Sequence, residues 1–212
     1  MPVFYAAKFA PARLRHYTVG LRNLWHHCMA LKATIFKADL QISDMDRHYY
    51  ANHALTLARH PSETDERMMV RLFAFARHAH EYLAFARGIS EADEPDLWQK
   101  DLTGAIDLWI EVGLPDEKRI LKASGRAAQV VVYCYGGNAA NLWWAAISPK
   151  LARLNNLTVI NLAPDSTRAL ALLAQRNMQL NCVVQDNEIW LSTDAGTVKV
   201  EFTPLKEAHA GY

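Results

Sequence analysis

The sequence has little cysteine, no long apolar run and almost no net charge, and each shortage excludes something. Three cysteines (Cys28, Cys134 and Cys182) in 212 residues are too few and too far apart for a disulfide scaffold. They read as small buried hydrophobes in a reducing compartment, so a cytoplasmic protein is the expectation. No apolar stretch approaches the ~20 residues of a membrane span, and no membrane partner is expected. The 23 basic and 22 acidic residues leave a net charge of +1, a balance that demands neither nucleic acid nor an acidic surface. Fixed-spacing catalytic motifs are missing too. The chain contains no Walker phosphate loop, no dinucleotide glycine fingerprint, no His-Glu-x-x-His zinc pair and no serine elbow. His78 and His80 are expected on different sides of a helix. There is no repeat, low-complexity tract or linker.

What is there is core-forming material: 51% hydrophobic and 21% charged residues, normal for a globular protein. The first 28 residues differ. They hold Lys8, Arg13, Arg15 and Arg22 and no acid. We expect a basic extension outside the fold, upstream of a native start at Met29. A nucleic-acid-contacting arm is the other reading. His26 and His27 are adjacent, the wrong spacing for a shared metal. Residues 29–212 are expected to form one domain.

Along that domain, Phe36, Ala38, Leu40 and Ile42 share one face of a strand, and Lys37, Asp39 and Gln41 share the other. "SDMD" supplies a turn, and Tyr49 to Leu57 returns as the second strand of a hairpin. Ser62 is the expected N-cap of a helix with acids in its first turns. Met69, Leu72, Phe73 and Ala76 would be its inward stripe, and Gly88 its end. "SEADEPD" reads as a solvated loop. A strand is expected near residues 97–102, and another in "GAIDLWIEVG". A helix over 116–128, the strand "QVVVYCYGG", a helix capped by Asn138, the strand "LTVINL" and the helix "PDSTRALALLA" follow. A closing hairpin contains Val198, Val200 and Phe202. Strands alternating with helices imply some parallel pairing. The fold class is therefore α/β: a mixed sheet with flanking helices and hairpins near both ends.

The chemistry to explain lies in "GAIDLWIEVG". Asp107 and Glu111 share a face with Trp109 on a strand apolar enough for a core, where an unpaired carboxylate is costly. Four strand residues separate them by roughly 13 Å, too far to share an ion unless the strand bulges. Glu66 is the best-placed helix partner, and Glu63 lies one turn earlier. A helix acid and a strand acid could together hold Mg²⁺. The alternatives are a dipole-complementing role for Glu63 and Glu66, an arginine pair or strand cap for Asp107, and a solvated strand end for Glu111. Lys118, Lys122 and Arg126 form one stripe on the next helix, suited to phosphate or simply to water. Tyr133 and Tyr135 share a strand face, either reaching a site or packing.

"MALKATIFKADLQISDMDRHYY", "LTLARHPSETDERMMVRLFAFA", "DEPDLWQKDLTGAIDLWIEVGLPDEKRILKA" and "IWLS" together resemble the bacterial YaeQ family. The resemblance runs from Met29 nearly to the C-terminus. It implies a fold related to the PD-(D/E)XK nucleases with a variant site. In that pattern an aspartate precedes an acid-x-lysine triplet, and a helix glutamate often joins them. The resemblance makes Asp107 the aspartate, Glu111 the triplet acid and Glu63 or Glu66 the helix member. Glu111-Val112-Gly113 has glycine where the lysine belongs, and Lys122 is the candidate to reach back in its place. The implied activity is Mg²⁺-dependent phosphodiester cleavage of nucleic acid, with Glu63, Glu66, Asp107 and Glu111 as metal ligands and Lys122 stabilising developing charge. The rival is a non-catalytic nucleic-acid- or protein-binding regulator that keeps the nuclease-like frame.

Overall fold

A computed structural model describes residues 33–87, 91 and 93–209. The basic extension, His26, His27 and Cys28 lie outside the described residues. The alternating segment at the start of the domain forms β1 (Thr34–Asp44), which buries Phe36, Ala38, Leu40 and Ile42. It pairs antiparallel with β2 (Tyr49–Arg59), with Leu40 opposite His53. The hairpin is as expected.

The helix that follows is shorter than the sequence suggests. Helix α1 spans Asp65–Arg77, and its N-cap is Thr64, not Ser62. The Thr64 hydroxyl accepts from the Arg67 amide at 3.1 Å, whereas the Ser62 hydroxyl is engaged by His60 Nδ1 at 2.6 Å. The helix stops well before Gly88 because the next apolar run is used as a strand. This is β3 (Leu83–Phe85), antiparallel to β4 (Leu97–Lys100). Nor does α1 bury only a stripe: every residue from Met68 to Ala76 is buried. A helix with a sheet on each side has no solvent face to spare.

The opening strand of interest is β5 (Ile106–Val112). Helix α2 (Glu117–Ser124) is capped by Asp116, whose side chain accepts from the Arg119 amide. It ends at Ser124, four residues before the expected Ala128, with Gly125 as its C-cap, so that β6 (Ala127–Cys134) can begin. Helix α3 (Asn138–Leu151) starts at Asn138, with Gly137 in the cap position. Strand β7 (Leu157–Leu162), helix α4 (Pro164–Leu172), and strands β8 (Asn177–Gln185), β9 (Glu188–Thr193), β10 (Gly196–Lys199) and β11 (Phe202–Lys206) complete the described chain.

There are two mixed sheets rather than one. The first has the order β10-β9-β8-β1-β2, the second β11-β7-β6-β5-β4-β3. In the first, β1 and β8 run parallel with Leu40 beside Leu180. In the second, β5, β6 and β7 run parallel. The expected closing hairpin is real for β9 and β10, but the chain breaks at Val200–Glu201. Phe202 then joins the other sheet, where β11 pairs with β7.

One core cluster joins the inner faces of both sheets through α1 and α4, and contains Leu40, Phe73, Ile110, Tyr133 and Leu170. A second lies on the outer face of the six-stranded sheet, where Trp109, Val130 and Val132 meet Ile120 of α2 and Ala140 of α3. The strand alternation of β5 is thus explained, since each face meets a different apolar layer. Cys134 and Cys182 are buried free thiols, and burial pushes both up to about 12. No helix among the described residues is long and apolar enough to cross a membrane.

Candidate functional site

At the start of α1, three carboxylates from different elements gather around arginines. Glu63, just before the helix, is 4% exposed. Arg71 donates to both its oxygens, Nε to Oε1 at 2.7 Å and Nη2 to Oε2 at 2.8 Å. Arg67 Nη1 donates to Oε1 as well, at 2.9 Å. The spacing produces this arrangement, because Arg67 and Arg71 follow at four and eight residues and lie on the Glu63 side of the helix. Arg67 then reaches across to β4. Its Nη2 donates to the two oxygens of Asp96 at 2.7 and 2.8 Å, and to the Val112 carbonyl at 3.1 Å. Burial works against the Arg67 charge, but Asp96 and Glu63 outweigh it and hold the guanidinium more firmly protonated.

Asp96 is fully buried. Its backbone amide donates to the Ile110 carbonyl, and its Oδ2 accepts from the Val112 amide at 2.8 Å. It therefore ties the entry of β4 to the end of β5. Glu111, 3% exposed, accepts from Trp109 Nε1 at 2.7 Å and Arg119 Nε at 2.8 Å. Burial raises its pKa; the Trp109 and Arg119 hydrogen bonds oppose the rise, and the Asp96 charge adds to it. Tyr135, half-buried, feels the same cluster. Burial raises it to about 12, Arg67 pulls it down, and Glu66, Glu63 and Asp96 push it up.

Glu63 and Glu111 thus belong to one electrostatic neighbourhood, with Asp96 between them. Glu66 turns instead toward α4, where its Oε1 accepts from the Thr167 hydroxyl at 2.6 Å. Lys122 is exposed and pairs with Asp93, whose backbone carbonyl accepts from Arg126. Lys118 is exposed. Tyr133 packs in the core and shares a 2.7 Å hydrogen bond with His78 Nε2.

Asp107 goes elsewhere. Strand pairing runs Gln99 opposite Leu108, then Lys100 opposite Ile106, so Asp107 is the extra residue of a bulge. A bulge re-aims its side chain. Asp107 lines a cavity of about 440 Å³ with Arg47, His78, His80, Gln99 and Gln129, a cavity lined by none of the other expected ligands. His78 and His80 lie beyond the last turn of α1 and both line this cavity, contrary to their expected separation on a helix. Among the described residues, no group of three or more His, Cys, Asp and Glu side chains is placed to hold a metal ion.

The residues missed in the sequence are Asp96 and the arginines. Asp96 sat in an acid-rich stretch that reads as solvated loop. The available signal was Pro95-Asp96 directly before an apolar strand, together with the Glu63-x₃-Arg67-x₃-Arg71 ladder.

The family model described as YaeQ protein matches residues 29–202. The chain is 46% identical over 179 residues to the "Uncharacterized protein YaeQ" of Escherichia coli (strain K12), covering 84% of this chain and 99% of that one. The Salmonella typhi protein of the same description matches equally in identity and coverage. The crystal structure of YaeQ protein from Xanthomonas axonopodis pv. citri superposes with a TM-score of 0.79 at 51% identity, over 82% of this chain and 98% of that one. That from Pseudomonas syringae superposes with the same score at 35% identity, over 82% and 97%. On the family model and these relatives, the chain belongs to the YaeQ family.

Proposed function

We propose that this chain is a non-catalytic binding or regulatory protein built on a nuclease-like frame, with arginines standing where a catalytic metal would sit. The observation that carries the reading is Arg67, whose guanidinium bridges Glu63 and Asp96. Arg71 holds Glu63 from the other side, and Arg119 holds Glu111. A cation is already fixed by short hydrogen bonds at each of these two acids. A hard divalent ion would have to displace guanidinium groups that the fold itself positions, and would need further oxygen ligands beyond them.

The nuclease-like frame is read from the placement of the acids. Asp96 stands at the entry of β4 and Glu111 on the neighbouring antiparallel strand β5, and Glu63 stands at the entry of the preceding helix. Asp96, fifteen residues before Glu111, fits the aspartate of the nuclease pattern better than Asp107 does. That convergence supports a second reading, Mg²⁺-dependent cleavage of nucleic acid with Glu63, Asp96 and Glu111 as ligands. In it, Arg67 would swing away on metal binding, and neither Asp107 nor Lys122 would take part.

Isothermal titration with MgCl₂ and MnCl₂ separates the two. The non-catalytic reading expects no stoichiometric heat, and no metal-dependent cleavage of single- or double-stranded DNA or RNA. Stoichiometric Mn²⁺ binding that disappears in Glu111→Gln would overturn it in favour of the enzyme.

A further inference from the structure

The cavity around Asp107 shares no lining residue with the arginine–carboxylate cluster, and three of its polar side chains, Asp107, Gln99 and Gln129, are uncommitted. Asp107 is half-buried and makes no hydrogen bond or ion pair among the described residues. The same holds for the side chains of Gln99 and Gln129. These two glutamines flank Leu108 in one cross-strand row, Gln99 on β4 and Gln129 on β6. Two amides therefore stand on either side of an apolar floor, with Asp107 delivered beside them by the bulge. Ala128 extends the floor.

The opposite wall is basic. Arg47 is held by Nε to Asp44 at 2.6 Å and by Nη1 to the Ala79 carbonyl at 3.2 Å, which leaves Nη2 for another partner. His80 accepts from the Tyr82 amide through Nδ1 at 3.2 Å. That contact places its proton on Nε2, making it a donor. His78 is taken up by Tyr133. The Asp107 carboxylate thus faces a guanidinium already held by Asp44 and a neutral imidazole donor, and it pairs with neither. In this open cavity water solvates the half-buried carboxylate, and a ligand cation could take the place of that water. The volume lies within the usual range for small-molecule sites, which combine an apolar floor with a few placed polar groups.

We infer that this cavity binds a small zwitterion of the amino-acid class. The ligand carboxylate meets Arg47 and His80, and its ammonium meets Asp107. Its carbon chain rests on Leu108 and Ala128, with Gln99 and Gln129 supplying hydrogen bonds. The inference does not depend on whether the arginine–carboxylate cluster binds metal.

The test is a thermal-shift and calorimetric screen of the free L-amino acids, taken singly, with n-butylamine and butyrate as half-molecule controls. At least one amino acid should bind with a Kd on the order of 1 mM or tighter. Its binding should move the side-chain amide resonances of Gln99 and Gln129 in ¹H–¹⁵N spectra. Asp107→Asn should weaken it at least tenfold, and so should His80→Ala, an exposed position where folding is not at stake. Butyrate binding as tightly as the amino acid would reduce the cavity to an anion site and overturn the proposal. So would unchanged affinity in Asp107→Asn, or the failure of every amino acid to shift the two amides.

Discussion

Asp96 shows how much one residue can hold together here. Its carboxylate takes two hydrogen bonds from Arg67 and one from the Val112 amide, with no exposure to water. Asp96→Asn keeps the shape but removes the charge, and leaves Arg67 facing a neutral amide in a mostly buried setting. Breaking a buried pair from one side costs about 3 kcal/mol or more, so urea denaturation should show a loss of that order. A loss under about 0.5 kcal/mol would mean that water enters and solvates Arg67 at no cost. The residue was hard to see in the sequence because acids next to acids look like solvent-facing loop. Burial of one carboxylate among several is decided by a partner on another element, and local composition carries no trace of that partner. Glu111 was easier, since an acid inside an apolar alternating strand needs an explanation wherever it sits.

Elements were legible in kind, and less so at their ends. The alternation of β1 named its buried face correctly, because a strand's period of two needs only its own residues, whereas β5 is buried on both faces, which depends on what packs on each side of its sheet. Helix α1 was legible as a helix, but its cap and its burial were not. Ser62 and Thr64 are both suitable caps, and the choice between them follows from His60 capturing Ser62. Thr64→Ala should therefore cost about 1 kcal/mol in thermal or urea unfolding, the usual loss of a capping oxygen. Ser62→Ala should stay within a few tenths. Equal losses at both positions would contradict the cap geometry. The bulge at Asp107 is likewise an element-scale event. It depends on how β4 and β5 pair, and it turns a residue that reads as a neighbour of Glu111 into the wall of a different cavity.

At the scale of the whole molecule, the sequence indicated mixed α/β layers but not two sheets. Which strands join which sheet rests on pairings such as β1 with β8, whose residues are about 140 positions apart. Nothing in a local window specifies that choice. The two sheets are sewn together through α1, and the His78–Tyr133 hydrogen bond is one of the stitches. His78 caps the C-terminus of α1, and Tyr133 lies fully buried on β6, edge-on to Phe73 at 5.9 Å. Burial lowers the His78 pKa from 6.5 to about 3, assisted by the nearby charges of Arg77 and Arg47. The folded protein thus keeps this ring neutral while the unfolded chain takes up a proton below pH 6.5. The stability His78 contributes is fully present above that pH. It is lost on acidification through the window from 6.5 down to about 3, at up to roughly 1.4 kcal/mol per pH unit. Carboxylates titrate in the lower part of this window, so the clean measurement is a difference. Urea-unfolding free energies of wild type and His78→Gln, compared between pH 7 and pH 5, should diverge, with wild type falling more steeply by about one proton. Parallel lines would show that the ring is protonated in the fold, and that its bond to Tyr133 is made by an imidazolium.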